Sequence, residues 1–155
     1  MRLMDVVQFR KDLLFDGAVQ LGWFEQAPDL AKKVAQHYVF HGPEYHGVAQ
    51  QDFGADIGPM LMDTASFTLD ILEHLYGKEE LDPFAMAIAG YGAGKSHLAL
   101  TLACLLDDPQ SITARTILDN VRMADVSIEQ KIVEVLGPSP KAYLVVALNG
   151  MLDFD

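Results

Sequence analysis

Between Phe84 and Leu106 the chain changes texture twice within a few residues, and that double change restricts its folding options more than anything else in the sequence. Phe84-Ala-Met-Ala-Ile-Ala89 is a short unbroken apolar run, the pattern of a strand covered on both faces. Gly90-Tyr-Gly-Ala-Gly94 follows at once. Then Ser96-His-Leu-Ala-Leu-Thr-Leu-Ala-Cys-Leu-Leu106 has almost no polar face, which predicts a helix buried nearly all round, stopped by Asp107-Asp-Pro109.

A strand that turns through glycines into a helix suits one kind of ligand. A triphosphate is a compact anionic tail, and holding it takes backbone N–H donors aimed inward, no side chains in the way, and a cation. Ala89-Gly-Tyr-Gly-Ala-Gly-Lys-Ser96 has those parts in the order of the phosphate-binding P-loop. Gly90, Gly92 and Gly94 allow the backbone to wrap a phosphate and to take positive φ. The amides from about Gly92 to His97, including that of Ala93, would face the phosphates, Lys95 would bridge the β- and γ-oxygens as the catalytic cation, and the Ser96 hydroxyl would ligate Mg²⁺. Tyr91 could cover the nucleotide or pack on a neighbour, and His97 could touch a phosphate or pack on the following helix. Ala89 stands where the motif usually has glycine; it still belongs to the strand, so alanine fits. A match of this kind arises by chance in roughly one chain in a hundred of this length. The flanking apolar run and apolar helix are independent requirements that it also meets.

Upstream the periodicity is helical. Asp5 predicts a cap for a helix through Val6, Phe9 and Leu13; Asp16-Gly17 either ends that helix, the preferred reading, or makes a tight hairpin turn before Ala18-Val-Gln-Leu-Gly-Trp23. Trp23-Phe24 predicts an apolar anchor, and Pro28-Asp29 opens a helix through Leu30, Val34 and Tyr38. Gly42 to Gly58 reads as a long loop. Pro59 opens a further helix with Leu61, Ala65, Leu69, Leu72 and Leu75/Tyr76 on one face, closed by Gly77. Downstream, residues 111–124 and 127–136 read as amphipathic helices, the second opened by a Ser127/Gln130 capping box and closed by Gly137-Pro138. Ala142-Tyr-Leu-Val-Val-Ala-Leu148 predicts a second strand. The expected class is therefore α/β: a helical region over 1–80, then over 81–155 the start of a P-loop NTPase parallel sheet with flanking helices, incomplete within this chain.

Charge and cysteine content narrow the setting. A net charge of -11 repels nucleic-acid phosphates, so DNA would be reached only through partners or further domains. Cys104, the sole cysteine, can make no internal disulfide and lies on the apolar helix, so it reads as core in a cytoplasmic protein. No apolar run is long enough for a signal peptide or a membrane span. His37, His41, Glu44 and His46 could in principle ligate a metal, with His37 and His41 one helical turn apart. No cysteine is near and Glu44 falls in a loop, so a polar rim around Tyr38, Phe40 and Tyr45 is the preferred reading.

Hydrolysis needs more than phosphate binding. An acidic residue at the end of a second buried strand orients the magnesium. Here Asn149 takes that place, and Asp153 and Asp155 come later, past a glycine. The simplest expectation is the front part of a longer protein, divided within its ATPase core.

The run Ile88-Ala-Gly-Tyr-Gly-Ala-Gly-Lys-Ser-His-Leu98 resembles the GxYGxGKSHL form of the P-loop found in the large ATPases of bacterial antiphage defence, namely the BREX ATPases and those of DNA phosphorothioation systems. The helical region before the P-loop strand is similar too. The resemblance implies an ATP- and Mg²⁺-dependent ATPase acting with other defence proteins in DNA modification or restriction, the phosphorothioation branch being slightly preferred. It carries nucleotide contacts only onto Gly90, Gly92, Gly94, Lys95 and Ser96. Two other readings stand beside it: a small-molecule P-loop kinase, which should show an Arg-rich lid absent after the loop, and a non-catalytic partner-docking module with a nucleotide-sensing P-loop.

Overall fold

The computed structural model describes residues 18–45, 62–77, 85–90 and 92–148. Within them the chain forms six helices: α1 (Trp23–Gln26), α2 (Pro28–Ala35), α3 (Thr64–Tyr76), α4 (Lys95–Asp107), α5 (Ile112–Ala124) and α6 (Val126–Leu136). α4 is the hub. Leu98, Leu100, Thr101, Leu102, Ala103, Cys104 and Leu105 are all buried, as expected of a helix with almost no polar face. α2 and α1 pack on α4 from one side and α5 from another; α6 packs on α5, and α3 on α6. Helices from before and after residue 80 thus share one hydrophobic core, which runs from Ala31 and Val34 through Leu72, Leu100 and Leu105 to Ile117 and Ile132.

α5 buries Ala114, Ile117 and Val121, and α6 buries Ile128, Ile132 and Leu136. Of the face predicted for α3, Ala65 and Leu72 are buried, Leu69 and Tyr76 half-buried and Leu75 exposed, Leu61 lies outside the described residues, and Thr68 is buried beside Ala65 and Leu72. The hydroxyls of buried Thr68 and Thr101 donate to the carbonyls of Thr64 and His97, four residues back, so neither is left unsatisfied. Trp23 and Phe24 lean half-buried on the core, the anchoring expected of them.

The helix ends show where local chemistry was decisive. Pro28 occupies the first turn of α2. Asp63 caps α3 by accepting from the Ser66 amide at 2.8 Å, and Ser111 caps α5 by accepting from the Ala114 amide at 3.0 Å. The predicted start of α3 at Pro59 falls outside the described residues, as does the helix beginning at Asp5. The capping box at Ser127 is corrected: α6 begins at Val126, and its cap is Asp125, which accepts from the Ile128 amide at 2.9 Å. Asp125 ends α5 as well, so one extended residue separates two helices and leaves no room for a later start. Tyr38 lies beyond the end of α2, which stops at Ala35. There the Asn120 side chain donates to the carbonyls of Gln36 and Tyr38. Gln36 in turn donates to Thr113 at 3.1 Å. The two Asn120 bonds satisfy carbonyls that another helical turn would have used internally.

The expected α/β class is overturned: the described residues contain six helices and no strand or sheet. Residues 85–90 and 142–148 carry no regular secondary structure, and neither joins a ladder. Met86 and Ile88 are exposed instead of covered on both faces. In 143–148 exposure alternates, with Leu144, Val146 and Leu148 outward. That segment is held at its start by the Tyr143 amide donating to Leu106 O at 2.9 Å, by the Tyr143 hydroxyl donating to Leu75 O, and by the Tyr76 hydroxyl donating to Lys141 O. An apolar run reports a preference for extended backbone. A strand also needs a neighbouring strand along its length for its N–H and C=O groups, and among the described residues there is none; the bonds to Leu106 and Tyr76 are single contacts to helices.

Candidate phosphate-binding loop

Residues 85–90 lead into a turn whose backbone only glycine adopts readily. Gly92 has φ 78° and Gly94 has φ 80°, both left-handed, and among the described residues no atom beyond the adjoining ones lies within 4 Å of where a Cβ would stand on either. The Ala93 amide donates to Gly90 O at 3.4 Å, closing the turn. Gly94 is the N-cap of α4, and the helical bonds begin with the Leu98 amide donating to Gly94 O at 2.9 Å. Tyr91 lies outside the described residues.

This N-terminus differs from those of α3, α5 and α6. Each of them has an Asp or Ser side chain on its first-turn amides, and α4 has no side-chain cap. Among the described residues the amides of Lys95, Ser96 and His97 find no acceptor. Three donors at the positive end of a 13-residue helix, on an exposed loop, favour an anion. Lys95 completes the arrangement. Its ammonium donates to Ala89 O and Gly90 O, each at 2.7 Å, so the side chain folds back over the turn and puts its charge at the mouth of the loop. Ser96 is exposed at the second position of α4. Its hydroxyl oxygen is of the donor class that Mg²⁺ takes, and a magnesium ion draws its remaining ligands from phosphates and water.

The imidazole of His97 points elsewhere. Its Nε2 donates to Val34 O, on the last turn of α2, at 2.7 Å, and its ring meets Tyr38 edge-on with centroids 4.9 Å apart. Burial pulls the His97 pKa below its ordinary value; the bond to Val34 O pulls the other way, and nearby His37 adds to the lowering. The neutral imidazole with its proton on Nε2 is the form that fits. Only the His97 backbone amide belongs with the loop. Sequence reasoning missed the Val34 contact, because a backbone acceptor 63 residues away leaves no side-chain signal.

The other candidate residues are not brought together. α2 ends before His37, so His37 and His41 do not share a helical face; the His41 ring stacks on Tyr45 at 3.9 Å and its amide donates to Thr64. His46 lies outside the described residues, and among those described no group of three or more His, Cys, Asp or Glu side chains could hold a metal. A hollow of about 380 Å³ lined by Phe40, His41, Glu44, Tyr45 and Asp125 contains no residue of the loop. A phosphate cradle is a shallow backbone concavity, so this does not count against the loop. Cys104 is buried, and burial pushes its thiol up to about 11, an inert core cysteine. Asn149, Asp153 and Asp155 lie outside the described residues. No described helix is long and apolar enough to cross a membrane.

No family model, curated protein or solved structure matches this chain.

Proposed function

We propose that the chain binds a nucleoside triphosphate, ATP by the family resemblance, together with Mg²⁺ through residues 89–97. One observation carries the reading: two left-handed glycines deliver a helix N-terminus without a side-chain cap, whose first three amides have no acceptor among the described residues, and the Lys95 ammonium sits over the same turn. A glycine turn that merely joined two segments would need neither the lysine nor the open donors. In this reading the amides of residues 92–97 hold the phosphates, Lys95 neutralises their charge, and Ser96 contributes one oxygen to the magnesium. The metal would screen phosphate charge when bound.

The proposed biological role rests on the GxYGxGKSHL resemblance: an ATP-binding component of a bacterial DNA modification or restriction defence system, working with partner proteins. An all-helical surrounding for the loop is compatible with binding, because the donors belong to the turn and to α4. Titrating the protein with Mg-ATP by calorimetry tests the reading. Saturable binding that Lys95→Ala weakens at least tenfold supports it. Binding of equal strength in Lys95→Ala would remove the loop from consideration.

A further inference from the structure

The first turn of α4 is the working part of the proposed site, and its orientation has to be fixed by something. Among the described residues, the loop before it offers no such anchor. Residues 85–90 are exposed and make no ladder, Gly92 and Gly94 are the most permissive residues available, and Gly94 contributes no capping side chain. Below the first turn the core grips α4 from Leu98 onward, while Lys95 and Ser96 are exposed. One side chain of that turn reaches another element: His97, bonded to Val34 O and set edge-on against buried Tyr38.

The anchor is well founded on its far side. Val34 is fully buried. Its carbonyl is one of those a helix C-terminus leaves without an intrahelical donor; it accepts from the His37 amide at 3.1 Å and, with its second lone pair, from His97. Tyr38 is itself wedged against Phe40, with ring centroids 4.7 Å apart. On the near side, His97 O accepts from the Thr101 hydroxyl, so backbone and ring of this residue are both held.

We propose that His97 is a positioning residue of the phosphate site: its Nε2–H bond to Val34 O locks the first turn of α4 to the end of α2, and so aims the amides of Lys95, Ser96 and His97. This rests on the reading of the loop as a phosphate cradle. It adds that the N-terminal helices control the site, through a contact that touches no phosphate. The requirement is a donor at the Nε2 position. Glutamine can put its amide nitrogen close to that point. Asparagine is polar but too short, and leucine fills the space without a donor.

The test compares Mg-ATP affinity in wild type, His97→Gln, His97→Leu and His97→Asn, with thermal unfolding of each. His97→Gln is expected to bind within about threefold of wild type, and His97→Leu and His97→Asn at least tenfold more weakly while still unfolding cooperatively. A role confined to packing would leave His97→Leu the best binder of the three, which would overturn the proposal. Equal binding by all four proteins would overturn it too. If His97→Leu does not fold, the Asn and Gln pair decides on the same criterion. A wild-type protein that binds no Mg-ATP would remove the loop reading and the proposal with it; a wild-type protein that binds, with affinity insensitive to position 97, would remove the proposal alone.

Discussion

Alanine at Gly94 should destabilise the protein, and alanine at Gly90 should not. Gly94 sits at φ 80°, ψ 10°, where a Cβ crowds the following carbonyl and costs an L-residue about 1–2 kcal/mol. A Cβ there meets nothing else within 4 Å, so no packing clash adds to that figure. Alanine also restricts the unfolded chain, which returns about 0.4–1 kcal/mol. The net loss is about 0–1.6 kcal/mol, a fall of up to about 6 °C in Tm for a chain of this size. Gly90 has no positive φ and an equally open Cβ position, so Gly90→Ala retains only the unfolded-state gain and should be neutral or slightly stabilising. Gly94→Asn should lie between wild type and Gly94→Ala, because asparagine tolerates the left-handed region and can cap a helix. Thermal unfolding followed by circular dichroism at 222 nm reads all three. If Gly94→Ala is no less stable than Gly90→Ala, from which it should differ by about 1–2 kcal/mol, the left-handed turn into α4 is wrong.

Two smaller predictions concern the helices. Asp125→Ala should cost about 1 kcal/mol through loss of the α6 cap, and Ser127→Ala less than about 0.5 kcal/mol; the reverse order in urea denaturation would restore Ser127 as the cap. Because folding raises the Cys104 pKa from 9.0 to about 11, the unfolded state releases the thiol proton first on the alkaline side. That contribution to stability is complete below about pH 9 and is lost as the pH rises toward 11. Wild type should therefore lose more stability across that window than Cys104→Ala does, and parallel curves would contradict the burial of the thiol.

What was legible in the sequence, and what was not, divides by the range of the physics involved. Pro28, Ser111 and Gly77 were placed correctly as helix boundaries because capping involves neighbours in the chain. Even so, Gly77 closes α3 for a reason the sequence hides. Its φ of -62° suits any residue, but a Cβ there would collide with Glu73 O, so closeness to the helix's own last turn excludes a side chain. The buried character of α4 was equally readable, since a helix with no polar face has no other stable position. The two strands failed because strand formation is a property of pairs. Val146 and Ile88 have the composition of strand residues, yet within the described residues neither segment has a neighbour to complete its backbone bonds. At the loop, glycines, lysine and serine were readable as a set because their chemistry is local. The direction of His97 was not, because its partner is a main-chain carbonyl on another helix.

The central claim is that the backbone amides of the turn into α4 take up phosphate. Amide chemical shifts from ¹H–¹⁵N spectra, recorded while Mg-ATP is added, report on those donors directly. Gly92, Ala93, Gly94, Lys95, Ser96 and His97 should show the largest movements, saturating together, and adenosine without phosphates should leave them in place. Shifts centred elsewhere, or equal responses to adenosine and Mg-ATP, would contradict the assignment of this loop as a phosphate cradle.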